Sequence, residues 1–152
     1  MNLLPKTLEI SNWLNEDLHK FLEHTYLYNT PHFFGELSAN NKRHYYCNLN
    51  QDSLTQYLAY KIQKTLDKEM NFNRIYINVQ HPNMDGEFHT DGDSNLTSLY
   101  MVTGEGDFEI KNEGRYKFEK NKIIFFDAKK EHRGLAPSKG IRITLAFKGV
   151  YK

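Results

Sequence analysis

The stretch KIIFFDAKKEHRGLAPSKGIRITLAFKG, residues 122–149, sets two apolar runs on either side of a charged turn. Read with the period of two that a strand imposes, the second run puts Arg142, Thr144 and Ala146 on one face. Ile141, Ile143, Leu145 and Phe147 take the other. The aliphatic face demands burial, which leaves a guanidinium mid-strand where an unpaired charge is costly. No acid lies nearby in sequence, so a ligand carboxylate held by two parallel hydrogen bonds is a candidate partner. A distant Asp or Glu, or a strand whose Arg face meets solvent, are the alternatives.

Working outward, the chain from Asn71 onward consists of short runs rich in β-branched and aromatic residues, separated by Gly, Asn and Asp turns. Strands are expected at 73–81, 87–91, 96–103, 107–111, 115–119, 122–127, 131–135 and 140–149. Two amphipathic helices precede them. The first, SNWLNEDLHKFLEHTYLY, is expected to be capped by Ser11 or Asn12, with Leu14, Leu18, Phe21 and Leu22 on one stripe. The second starts near Asp52 and repeats Leu54, Leu58, Ile62, Leu66 and Met70. Between them, residues 29–50 are too aromatic for a plain linker and suit a long structured loop or short hairpin. Phe33, Phe34, Tyr45 and Tyr46 are read as core under a helix or as a substrate-covering loop. The whole is mostly β with N-terminal helices, a sandwich or small barrel with the helices buttressing one sheet.

A second stretch carries chemistry. In HPNMDGEFHTDGD, residues 81–93, strand alternation sends His89 and Asp91 to one face. Alone, this pair is as compatible with a solvated strand end as with half a metal site. His132, reached through the charged turn and ten residues before Arg142, supplies a candidate third ligand. Two histidines and one carboxylate form the facial triad of non-haem Fe(II) oxygenases, which leaves positions open for a chelating cosubstrate and O2. Asp85 and Asp93, beside Gly86 and Gly92, read as turn residues.

The HxD at His89–Asp91, the histidine about forty residues on at His132, and the basic residue at Arg142 resemble the Fe(II)/2-oxoglutarate-dependent dioxygenases. The nearest likeness is to their small prolyl-4-hydroxylase-like branch, which includes short forms encoded by marine bacteriophages. It covers about Arg74 to Lys148. The resemblance implies a double-stranded β-helix, a jelly-roll or cupin-like barrel, as one domain over 1–152 with a helical prelude at 1–70 and a core at 71–152. It implies Fe(II) on His89, Asp91 and His132, with the distal carboxylate of 2-oxoglutarate on Arg142. O2 would be the second cosubstrate. The reaction implied is hydroxylation of a peptidyl proline or other protein side chain, with release of succinate and CO2. Family members often add a tyrosine from the strand after HxD, and TSLYMV places Tyr100 there; Thr144 would assist Arg142. In two respects the chain departs from parts of the family. Arg142 matches the oxygen-sensing type rather than the Lys of collagen-type enzymes. His81 stands before Pro82 where a tyrosine is common, and is open between pocket lining and a hydrogen-bonded turn.

Composition narrows the setting. Lys+Arg 20 against Asp+Glu 19 gives no electrostatic case for a nucleic-acid or membrane partner. Cys47 is the only cysteine, which excludes a disulfide framework and suits a reducing compartment. No signal peptide or membrane-length apolar run is evident, so a cytoplasmic location (of the host cell, if phage-encoded) and a protein, peptide or small-molecule substrate are expected. Two rival readings remain. One is a cupin-like metal-dependent isomerase or sugar-modifying enzyme, although HTDGDSN lacks the usual cupin Glu. The other is a non-enzymatic carbohydrate-binding sandwich.

Overall fold

The computed structural model describes residues 6–37 and 42–152. In chain order the elements are β1 (Leu8–Ile10), α1 (Glu16–Tyr28), β2 (Phe33–Leu37), β3 (Arg43–Asn48), α2 (Ser53–Leu66) and β4 (Met70–Gln80). Then follow β5 (Leu96–Thr103), β6 (Phe108–Ile110), β7 (Gly114–Tyr116), β8 (Ile123–Asp127), β9 (His132–Gly134) and β10 (Arg142–Tyr151). They form a seven-stranded sheet ordered β1-β8-β5-β10-β4-β3-β2 and a three-stranded sheet ordered β7-β6-β9. This is a double-stranded β-helix with two helices against the larger sheet, as expected.

Alternation divides the large sheet into two cores. On one face Ile75, Ile77 and Val79 of β4, Tyr100 and Val102 of β5, and Ile143, Leu145 and Phe147 of β10 pack with Leu22, Leu58 and Ile62 of the helices. On the other face Tyr76, Leu99, Met101, Phe126 and Ala146 meet Phe108 and Ile110 of the small sheet. The register makes this strict. Leu145 stands between Tyr100 and Ile77, and Ala146 between Leu99 and Tyr76.

The helices start and stop for local reasons. Asp52 caps α2 as expected, its side chain accepting from Thr55 N at 3.0 Å. The helix ends at Leu66, before left-handed Asp67 (φ 52°), so Met70 opens β4 instead of closing the helical stripe. α1 begins later than expected, with Asn15 rather than Ser11 or Asn12 as its cap. Asn12 takes a left-handed turn (φ 51°), and the backbone N–H and C=O of Leu14 are both held by the Asn121 side chain. That stretch is tied across the fold and is not free to coil. The aromatic segment 29–50 contains the β2–β3 hairpin, and its residues 38–41 lie outside the described ones. β1 was not foreseen; it adds to the sheet beside β8.

The expected strand at 87–91 is reduced to one bridge, His89 with His132. Its backbone still follows β9 and the turn before it: Gly86 N donates to Gly134 O at 2.9 Å and Asp91 N to Ala128 O at 2.8 Å. Among the described residues no helix is long and apolar enough to cross a membrane.

Ile62 is fully buried between α2 and the sheet. Ile62→Ala is expected to lower stability by about 3 kcal/mol. The check is a shift in the denaturant midpoint with the slope unchanged.

Candidate metal centre and its cavity

The His89–His132 bridge builds the site. Each residue donates its backbone N–H to the other's carbonyl, at 3.1 and 2.9 Å. Such a mutually bonded antiparallel pair holds its two side chains side by side on one face. The imidazole centroids lie 4.6 Å apart. Asp91, two residues after His89, brings its carboxylate to the same point. Ligand atoms of His89, Asp91 and His132 all fall within 4.8 Å of one another.

Each ring is also locked in one tautomer. His89 Nδ1 lies 2.8 Å from Glu87 O, and His132 Nδ1 lies 2.8 Å from Lys130 O. A carbonyl can only accept, so Nδ1 carries a proton in both rings, and the Nε2 of a neutral ring turns its lone pair to the site. Backbone anchoring of the outer nitrogen is what orients metal-binding histidines. Burial, then the nearby His132, pushes the His89 pKa down, which favours the neutral ligand form.

Asp91 is buried and charged. Burial opposes its negative form, but His132 and Lys148 outweigh it and hold the carboxyl well below the usual carboxylate range. Oδ2 accepts from Thr97 Oγ1 at 2.5 Å and lies 3.3 Å from His132 Nε2. Oδ1 lies 3.8 Å from His89 Nε2 and pairs with Lys148 Nζ at 2.7 Å.

The triad lines a cavity of about 200 Å³ between the two sheets. Its closed end is Arg142, 2% exposed, and Thr144, 1% exposed. Arg142 Nη1 donates to Gln80 Oε1 at 2.6 Å and Nε to Gly106 O at 2.8 Å. Among the described residues Nη2 has no partner, and neither has Thr144 Oγ1. Gln80 is held in turn by Met84 O and Gly134 O. Two glycines make room for this end. Gly106 takes φ 107°, where a Cβ would meet Leu135 O at 2.3 Å, and a Cβ on Gly134 would lie 3.0 Å from Arg142 Nη1. Burial pushes the Arg142 pKa down to about 10, with Asp107 opposing, so the guanidinium is still charged at neutral pH. No carboxylate pairs with it among the described residues. The distant ion-pair alternative therefore finds no support.

These features suit a divalent metal and an anionic chelator. Three protein ligands leave positions open on a six-coordinate ion. An unpartnered buried N–H beside an unpartnered hydroxyl suits a carboxylate.

Two expected contributors fall elsewhere. Tyr100 does not line the cavity. It shares the parity of Val102 and faces the helices, where its hydroxyl bonds His19 Nδ1 at 2.5 Å and donates to Asn121 Oδ1 at 3.0 Å. Thr97 and Leu99, of opposite parity, line the cavity instead. His81 is exposed and packs edge-on against Tyr45, 5.3 Å between centroids, outside the cavity lining. The sequence reading missed Tyr76, Gln80 and Lys148, all of which line the cavity. Alternation from Arg142 and Thr144 points to Lys148 directly.

No family model and no curated protein matches the sequence. Solved structures do match its fold. A viral collagen prolyl hydroxylase from Paramecium Bursaria Chlorella virus-1, in complex with 2OG, is 15% identical with TM-score 0.71, over 94% of each chain. A Trichoplax adhaerens prolyl hydroxylase, in complex with a hypoxia inducible factor oxygen degradation domain peptide, is 13% identical with TM-score 0.72, over 94% of this chain and 82% of that one. HygX from Streptomyces hygroscopicus, with nickel, 2-oxoglutarate and hygromycin B bound, is 8% identical with TM-score 0.72, again over 94% and 82%. The chain shares the double-stranded β-helix of these proteins.

Because the Tyr100 hydroxyl serves the α1 interface, Tyr100→Phe is expected to lower stability by about 1–3 kcal/mol by stripping buried partners. Chemical denaturation measures that loss. Mn(II) titration of the same variant should match wild type, and weakened metal binding would return Tyr100 to the site.

Proposed function

We propose that this chain is a non-haem Fe(II)- and 2-oxoglutarate-dependent oxygenase that hydroxylates a peptidyl proline or another protein side chain. One observation carries the reading. A single cavity holds a triad with its ligand atoms convergent and, at its closed end, a buried guanidinium without a counter-ion among the described residues. His89, Asp91 and His132 would hold the iron, and Arg142 with Thr144 would take the distal carboxylate of 2-oxoglutarate. When bound, iron with 2-oxoglutarate and O2 supplies oxidative decarboxylation to succinate and CO2 together with transfer of one oxygen atom to a C–H bond.

The chain's own residues position the reactants and exclude water. Glu87 O and Lys130 O keep protons on the outer nitrogens of the two histidines. Thr97 fixes the rotation of the Asp91 carboxylate. Gln80 and Gly106 fix the fork of Arg142, so its free Nη2 is aimed before the ligand arrives and loses little freedom on binding. Leu99, Phe108, Phe126 and Ala146 give the cavity an apolar wall beside its polar groups, which would disfavour water at the reacting centre. No side chain is required as an acid or base. The prolyl hydroxylases among the fold neighbours favour a peptidyl proline, whereas HygX with hygromycin B shows that the same fold also takes a small molecule.

The test separates the two halves of the site. Asp91→Ala and His132→Ala are expected to abolish Mn(II) binding in titration calorimetry. Arg142→Ala should keep the metal and weaken 2-oxoglutarate by about a hundred-fold, the usual scale for losing a buried charged contact. Unchanged 2-oxoglutarate affinity in that variant would refute the cosubstrate assignment. Fe(II)-loaded wild type should form succinate, and peptide substrates should gain the mass of one oxygen only when 2-oxoglutarate is present.

A further inference from the structure

Two cations line the cavity, and the proposed chemistry uses one. Arg142 starts β10 and Lys148 follows six residues later on the same face, about 20 Å along the strand. Arg142 closes the cavity, whereas Lys148 and His89 keep side-chain exposures of 18% and 26% and mark its open end. A short diacid anchored on Arg142 would enter the centre from the closed end, whereas Lys148 meets it from the other end of the strand, against Asp91.

The local charges show what Lys148 is left to do. Glu36 and Asp91 are the carboxylates that line the cavity among the described residues. Glu36 is taken bidentately by Arg74, with both contacts at 2.8 Å. Asp91 pairs with Lys148 through Oδ1 at 2.7 Å, while its Oδ2 faces His132 and Thr97. With a dication bound, the metal, Arg142 and Lys148 bring four positive charges against three negative from Asp91 and 2-oxoglutarate. The cavity is then one negative charge short, at its open end. Lys148 is held there by the Tyr76 ring, 5.1 Å from Nζ, with Arg74 stacked on the same ring at 3.8 Å. An ammonium has three donors, of which Asp91 takes one. At the open end of the cavity the others can reach solvent or a ligand.

We propose that Lys148 is a specificity-determining residue that binds a carboxylate of the substrate beside the metal centre. This rests on the oxygenase reading above. The substrate chemistry it selects is an acid at or next to the carbon that reacts. That acid is either the α-carboxylate of a free or C-terminal residue or the side chain of a neighbouring acidic residue.

Anaerobic protein loaded with Mn(II) and saturating 2-oxoglutarate separates these sources by calorimetric titration with acid and amide pairs. N-acetylproline against N-acetylprolinamide probes the α-carboxylate. Acetyl-Asp-Pro-amide against acetyl-Asn-Pro-amide probes the neighbouring acid. In at least one pair the acid should bind about ten-fold more tightly than the amide, the scale of one hydrogen bond to a charged group. Lys148→Met should reduce that preference to less than two-fold with 2-oxoglutarate affinity unchanged, and Lys148→Arg should keep it. No acid preference in wild type, no acid binding in either pair, or a preference that survives Lys148→Met would each overturn the proposal while leaving the oxygenase reading intact. Loss of 2-oxoglutarate binding in Lys148→Met would assign the lysine to the cosubstrate and also overturn it. Failure of wild type to bind 2-oxoglutarate at all would instead remove the oxygenase reading, and this proposal with it.

Discussion

Side chains on a strand alternate, and β10 lies between β5 and β4 at the middle of the large sheet, so each of its faces is enclosed. Ile143, Leu145 and Phe147 fill the core under the helices. The intervening positions must then point between the sheets, and they are Arg142, Thr144, Ala146 and Lys148. A shift of one residue would exchange the two sets, burying two cations under the helices and turning the aliphatic residues into the cavity. The hydrophobic core and the cavity thus share one register, and neither can be altered without the other.

The centre facing β10 depends on less secondary structure than its precision suggests. Among the described residues, 86–91 share only four backbone hydrogen bonds with β9 and the turn before it, yet these set His89 opposite His132. The carbonyls that hold the outer ring nitrogens come from residues two before each histidine, Glu87 and Lys130. Ring orientation is therefore local to each segment, and the bridge brings the two segments together. Loops supply ligands while a rigid sheet supplies geometry, the usual division of labour in a functional site.

Legibility in the sequence followed the number of faces that a segment buries. β5 was read at its true ends, Leu96–Thr103, because a run rich in apolar and β-branched residues is bounded by turn residues. The same property hid its orientation. With both faces buried, LTSLYMVT does not say which parity meets the helices, and Tyr100 was assigned to the wrong side. β10 had no such ambiguity, since its charges fall on one parity only. Gln80 and Tyr76 were invisible for another reason: they matter through β4's pairing with β10, which no local pattern encodes. The late start of α1 likewise depends on Asn121, more than a hundred residues away. His89 and Asp91 were ambiguous by themselves and became a candidate site only with His132 and Arg142 at the spacing that carries the resemblance.

Of the three readings that the sequence left open, the buried guanidinium separates one from the others. A sugar-binding sandwich needs hydrogen-bonding groups on an accessible face, and gains nothing from a charge placed at the closed end of a cavity. Burying Arg142 with an empty Nη2 costs the fold stability unless an anion completes it. A cupin-type centre with further protein ligands would fill the metal's coordination sphere, whereas three ligands group here among the described residues. Three protein ligands and an unsatisfied cation at the end of the same cavity call for one small molecule with two functions. Chelation at one end and a carboxylate at the other are what the proposed cosubstrate, 2-oxoglutarate, would bring.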